Sequence, residues 1–130
     1  MSVQGVQQAS KSPCPCCGRL VFEGGPGTDD ICPVCFWQDD LLCLLDPFEA
    51  VGPNKVSLTQ AQKNFDSFGL CDPRYGDAKN RRAAPRQFVL DEGWRPIDPA
   101  KDRFSSDDYP ADKATAYYWR ADYWLKPAQG

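Results

Sequence analysis

The sequence predicts a small α+β domain followed by a loop-rich C-terminal extension, on three observations. Four cysteines fall into two Cys-Pro-x-Cys pairs, Cys14/Cys17 and Cys32/Cys35, separated by a run that contains Gly24-Gly25-Pro26-Gly27. One later segment, 58–68, carries helix start and stop signals at both ends. From Asp72 to Tyr109 the chain is rich in Pro, Arg and Asp, which favours loops. With 130 residues and 42% hydrophobic content, the chain has the length of one domain and material for only a modest core.

Each element follows from local signals. Residues 1–12 have few hydrophobics and no periodicity, and are predicted to be disordered. They also show no apolar run of the kind that marks a signal peptide. Arg19 to Glu23 and Thr28 to Ile31 are extended runs on either side of the glycine-proline cluster, which predicts a hairpin joining the two cysteine pairs. A single helical turn is expected near Asp39 to Leu45. The next helix, Leu58 to Phe68, has Ser57 as N-cap, Gln60 three residues on as a capping-box partner, and Gly69 as the C-terminal stop. Ala61, Phe65 and Phe68 place an apolar face on it. Gln87 to Leu90 reads as a strand. Pro110 can open a helix after Asp107 and Asp108, continuing from Ala111 to Trp124. No internal repeat is apparent. The expected division is 1–12 disordered, 13–71 the cysteine domain, and 72–130 an extension packed on it.

The cysteine spacing carries the chemistry. Cys14-x2-Cys17, an interval of 14 residues, then Cys32-x2-Cys35, is a pattern that brings four thiolates to one tetrahedral ion. Proline stiffens each turn, and Gly18 tolerates the positive φ that lets backbone N–H groups face sulfur. The expectation is a structural Zn²⁺, one per chain, in a zinc-ribbon-like β-hairpin module with two CPxC knuckles. Iron is the rival metal, because paired CPxC knuckles also hold a single redox iron in rubredoxin-type proteins. In this register Cys16 is a spectator: a small space-filling residue, or else a reactive thiol beside the site. Cys43 and Cys71 sit in apolar contexts and read as buried hydrophobes.

The absence of histidine removes the commonest general base, and a closed four-thiolate site leaves no position for an activated water. The sequence therefore reads as non-enzymatic. Clustered cysteines, odd in number, point to a reducing cytoplasm rather than a disulfide framework. The longest apolar run, Leu41 to Leu45, is too short for a membrane span.

Charge is uneven. Glu23, Asp29, Asp30, Asp39, Asp40, Asp46 and Glu49 fall between Leu20 and Asn54, where there is no Lys or Arg. Four thiolates on one divalent ion add further negative charge, so nucleic acid is disfavoured and a basic protein surface is the better electrostatic match. Lys79, Arg81, Arg82 and Arg86 are the one candidate phosphate-facing patch, or else a solvated face. Trp37 and Asp39-Asp40 read either as a lid and helix start or as a binding edge. The C-terminal aromatics, Trp119 and Trp124 among them, read either as core or as anchors.

With "SPCPCCGRLVFEGGPGTDDICPVCFWQDD" and "GPNKVSLTQAQKNF" in view, the chain resembles the bacterial cysteine-rich CPCC domain family over about Pro13 to Cys71. Gln38 stands where an acidic residue is usual in that family. The resemblance implies stabilisation by zinc or disulfides and no particular activity. By analogy with small cytosolic proteins of this kind, it suggests an immunity protein that occludes the basic cleft of a bacterial toxin. The residues expected to meet such a partner are Trp37, Asp39, Asp40, Asp46, Glu49, Trp119 and Trp124.

Overall fold

The computed structural model describes residues 11–125, apart from the side chain of Lys79. Its regular elements are strands β1 (Lys11–Pro13) and β2 (Leu20–Glu23), helices α1 (Leu41–Leu45) and α2 (Leu58–Phe68), and short 3-10 segments at Pro73–Arg81, Pro85–Gln87 and Lys113–Ala116. This is the expected zinc-ribbon-like α+β module: an antiparallel two-strand hairpin, a few helices and four clustered cysteines.

The hairpin is not the one predicted. β1 pairs with β2, Lys11 opposite Glu23 and Ser12 opposite Phe22. Lys11 and Ser12, expected in a disordered N-terminus, therefore supply a strand; residues 1–10 lie outside the described residues. The expected pairing of 19–23 with 28–31 does not form, because each knuckle closes on its own flanks. Asp29 N–H donates to the Asp39 carbonyl at 3.0 Å and Asp39 N–H to the Asp30 carbonyl at 2.9 Å, while Ile31 bridges Gln38. The glycine cluster instead forms a loop pinned by a buried carboxylate. Asp39 Oδ2 accepts from Gly27 N–H at 3.0 Å, Thr28 N–H at 2.9 Å and Thr28 Oγ1 at 2.9 Å.

α1 starts where Asp40 accepts from Leu42 N–H at 2.7 Å. α2 has the predicted bounds: Ser57 Oγ accepts from Gln60 N–H at 3.1 Å, and Gly69 takes φ 77°. The Gln60 side chain donates to Asn64 Oδ1 rather than returning to the cap, so only half of the expected capping box is present. The buried stripe is also shifted. Leu58, Ala61, Gln62 and Asn64 are buried, whereas Phe68 is 48% exposed.

Beyond α2, residues 87–90 yield only the end of the expected strand. Leu20 N–H donates to the Val89 carbonyl at 2.8 Å and Arg19 bridges Leu90, while Pro85–Gln87 turns as 3-10. The helix expected over Ala111–Trp124 is a single turn, Lys113–Ala116, opened by Asp112. Ala116, Tyr117 and Tyr118 are consecutive and all buried, a demand that one helix face cannot meet. Aromatic packing replaces the helix. Tyr118 stands edge-on to Trp119 at 4.8 Å between ring centroids and to Phe104 at 5.7 Å. One core cluster joins the cysteines, Phe22, Val34, Trp37, Leu44 and Leu58 to Ala116 and Tyr117. Among the described residues, no helix is long and apolar enough to cross a membrane.

Candidate metal centre

The two knuckles repeat one local geometry. In the first, Cys14 N–H donates to the Arg19 carbonyl at 2.8 Å and Gly18 N–H to the Cys14 carbonyl at 2.6 Å. In the second, Cys32 N–H donates to the Trp37 carbonyl at 2.8 Å and Phe36 N–H to the Cys32 carbonyl at 2.9 Å. Gly18 (φ 80°) and Phe36 (φ 72°) occupy the same left-handed position. The paired CPxC turns thus close with one repeated backbone geometry, glycine holding the left-handed position in one copy and phenylalanine in the other.

The geometry brings Cys14, Cys17, Cys32 and Cys35 together, every pair of ligand sulfurs lying within 4.8 Å. Cys14 and Cys35 sulfurs are 3.6 Å apart, and Cys17 and Cys32 are 3.8 Å apart. Four thiolates at the Zn–S distance around a tetrahedral ion have edges of about 3.8 Å. A disulfide needs about 2.05 Å, and all seven cysteines are free. The donor set therefore fits a soft, tetrahedral metal ion. All four ligand residues are fully buried.

Burial pushes the Cys14 and Cys35 thiols well above the ordinary thiol range. Burial pushes Cys32 the same way, but hydrogen bonds from Cys14, Cys17 and Cys35 outweigh it and hold Cys32 well below that range. Val34 N–H also reaches Cys32 Sγ, at 3.3 Å. Cys16 lies outside the four-sulfur set: its thiol donates to the Ala61 carbonyl of α2 at 3.4 Å, and burial raises its pKa against a hydrogen bond from Cys35. Cys43 and Cys71 are buried as expected.

Both knuckles are fastened to the rest of the chain through backbone groups next to the ligands. Cys71 N–H donates to the Cys35 carbonyl at 2.8 Å and Ala83 N–H to the Pro33 carbonyl at 2.7 Å. On the first knuckle, the Pro15 carbonyl accepts from Gln62 Nε2 at 2.9 Å and from Trp94 Nε1 at 3.1 Å. Gln62 reaches further: Nε2 lies 3.0 Å from the Tyr118 hydroxyl, and Oε1 accepts from Ile97 N–H at 2.9 Å. Sequence reasoning missed Gln62. The signal was present, because Leu58, Ala61, Gln62 and Phe65 follow the i, i+3, i+4, i+7 spacing of a buried stripe.

The residues expected to meet a partner separate into two groups. Trp37 and Asp39 are fully buried and present no surface; Trp37 belongs to the cysteine core, and Asp39 holds the glycine loop. Asp40 caps α1 and is partly exposed, Asp46 ends α1, and Glu49 is exposed. Trp119 and Trp124 are half-buried, Trp119 donating to Asp91 Oδ2 at 2.7 Å. In the basic patch Arg81 and Arg86 are exposed. Arg82 lies over Gly69, its guanidinium 3.2 Å from where a Cβ would stand.

Two knuckle hairpins around four converging, buried cysteines define a metal-binding module of the four-thiolate kind. The chain belongs to the cysteine-rich CPCC family, whose model matches residues 12–87. The match runs past the expected limit at Cys71, through the 3-10 segment Pro73–Arg81 and the anchoring Ala83 beyond it, and stops short of Leu90 and Trp94, which close over the first knuckle. A search of curated proteins finds no match to the chain.

Proposed function

We propose that this protein is a non-enzymatic, zinc-stabilised protein-binding module. The observation that carries the reading is four fully buried cysteines converging with tetrahedral sulfur spacings, which leaves no open face for a reacting molecule. When bound, Zn²⁺ supplies a cross-link between the two knuckles. Cys14 and Cys17 would hold it from one side, Cys32 and Cys35 from the other. Metal analysis of the purified protein should give one zinc per chain. Cys32→Ser should lose both the zinc and the cooperative fold, since modules of this kind depend on metal to fold. A red protein carrying iron, or Cys32→Ser that keeps zinc and fold, would refute the assignment.

The partner we propose is a toxin with a basic cleft, met in the cytoplasm. Supporting this, Glu23, Asp29, Asp30 and Glu49 are exposed, and the metal-bound thiolates add negative charge to the same half of the chain. Co-expression with the product of the neighbouring gene tests it. A neighbour that is toxic alone and harmless in the presence of this protein is the expected result. A harmless neighbour that forms no complex removes the toxin reading while leaving the metal site untouched.

A further inference from the structure

A concavity of about 650 Å³ lies between α2 and residues 94–99, and two of its lining residues, Gln62 and Trp94, also hold the Pro15 carbonyl of the first knuckle. Its walls are mainly apolar: Phe65 from α2, Trp94 and Ile97 from the opposite side, and Phe48 at one end. Phe48 is 45% exposed, a cost in water that a partner would relieve. The rim on α2 carries Lys63 and Asp66, both exposed and, among the described residues, neither in an ion pair. At i and i+3 their Cβ atoms stand about 5–6 Å apart on one helix face.

From this groove we infer the seat of the protein partner: an amphipathic helix of that partner, with large apolar side chains inserted between α2 and residues 94–99. An acid of that helix faces Lys63 and a base faces Asp66. The inference rests on the protein-binding reading above and says where binding occurs. Thr59 to Asp66 is about 10 Å of α2, the length over which a partner helix presents two or three anchors at i, i+3 or i+4, and i+7. The unpaired opposite charges fix its direction. The chain's own segments outside the described residues, MSVQGVQQAS and KPAQG, contain no aromatic, leucine or isoleucine, so they do not offer such anchors. The acidic edge near the knuckles would steer approach, and the groove would supply the anchoring contacts.

The test is selection of random peptides of about 16 residues, displayed on phage, against the zinc-loaded full chain. Selected peptides should carry large apolar residues at helical spacing with an acid and a base between them. Phe48→Ala, a change at an exposed position, should weaken them about tenfold or more with zinc content unchanged. The double variant K63E/D66K should weaken them several-fold, and peptides with acid and base exchanged should recover binding to it. Failure to enrich peptides, enriched peptides indifferent to both variants, or a groove that takes only small apolar dyes would overturn the inference. Peptides that bind elsewhere on the protein would refute the groove while leaving the protein-binding reading standing. Groove-dependent peptides alongside a harmless neighbouring gene would do the reverse to the toxin reading.

Discussion

Gln62→Ala is the sharpest test of how the extension is held on the cysteine domain. Gln62 is 6% exposed and makes three contacts: to the Pro15 carbonyl, to the Tyr118 hydroxyl and from Ile97 N–H. Truncation does not orphan all three partners. The Pro15 carbonyl keeps Trp94 Nε1, and the Tyr118 hydroxyl keeps its bond to the Arg95 carbonyl. Ile97 N–H loses its partner, a desolvation penalty of about 1–3 kcal/mol, and the other two bonds are worth about 0.5–1.5 kcal/mol each. With partial relaxation the expected loss is about 2–4 kcal/mol, a large share of a typical total of about 5–15 kcal/mol. Urea unfolding of the zinc-loaded protein at fixed excess zinc, followed by tryptophan fluorescence, measures it. Zinc stoichiometry should stay at one, which separates this effect from ligand loss. Gln62→Glu refines the test. Its carboxylate keeps the acceptor for Ile97 N–H but loses the donor to Pro15. Burial raises the folded-state pKa of such a carboxyl above its unfolded value, so the folded form takes up the proton first. The variant's deficit should therefore shrink as pH falls through the carboxylate range. A Gln62→Ala protein within about 0.5 kcal/mol of wild type would refute the claim that this side chain ties extension to knuckle.

Three further outcomes are expected. Gly18→Ala should cost about 2–4 kcal/mol in the same assay, because φ is 80° and the added Cβ would stand 2.6 Å from Trp94 Cδ2 and 2.8 Å from Leu90 Cδ1; a neutral effect would mean the extension does not close there. Cys16→Ala should retain one zinc per chain with a loss of about 1 kcal/mol, whereas Cys17→Ala should lose the metal; a chelator-dye assay after denaturation reads both, and zinc loss from Cys16→Ala would make Cys16 a ligand. Asp102 supplies an acid-side limb to stability. Burial pushes its carboxyl up, but bonds from Arg95 and from Asp98 N–H outweigh this and hold it below the usual range. Its contribution is present above the unfolded value of about 3.9 and is lost as pH falls through the lower folded value. The gap between wild type and Asp102→Asn should narrow from pH 5 to pH 3, and a constant gap would contradict the assignment.

The ligand set and α2 were legible because both depend on short-range rules. CxxC spacing is a statement about one turn of chain, and Ser57 and Gly69 act within a few residues of themselves. Strand pairing was not legible in the same way. Arg19–Glu23 had a plausible partner in Thr28–Ile31 across a glycine-rich turn, but Asp39 draws that loop onto itself with three hydrogen bonds to one oxygen. Its effect is long-range and invisible to a local reading. Trp37 and Asp39 looked like a binding edge because charge and aromaticity are also what surfaces use. Trp37 is buried because it packs in the cysteine core, and Asp39 because it draws the glycine loop over its carboxylate. The C-terminal aromatics failed as a helix for a related reason: three consecutive buried residues ask for cover on every side, which tertiary packing meets and helical periodicity does not.

The paired knuckles show how one backbone solution serves two different surroundings. Each needs a residue at positive φ directly after its second cysteine, so that the turn can close on its first cysteine. At position 18 that residue is glycine, and the space left by the missing Cβ is filled by Trp94 and Leu90, bringing the extension against the first knuckle. At position 36 it is phenylalanine, held at φ 72° despite the preference of such residues against that region. The ring is what justifies the strain: it packs edge-on against Tyr75 at 6.1 Å between centroids, reaching the segment that follows α2. Close approach at one knuckle and long reach at the other fasten both halves of the metal clamp to the chain beyond α2. The four-cysteine site therefore does more than join Cys14/Cys17 to Cys32/Cys35, because Trp94, which lines the groove, is seated against the first of those two turns.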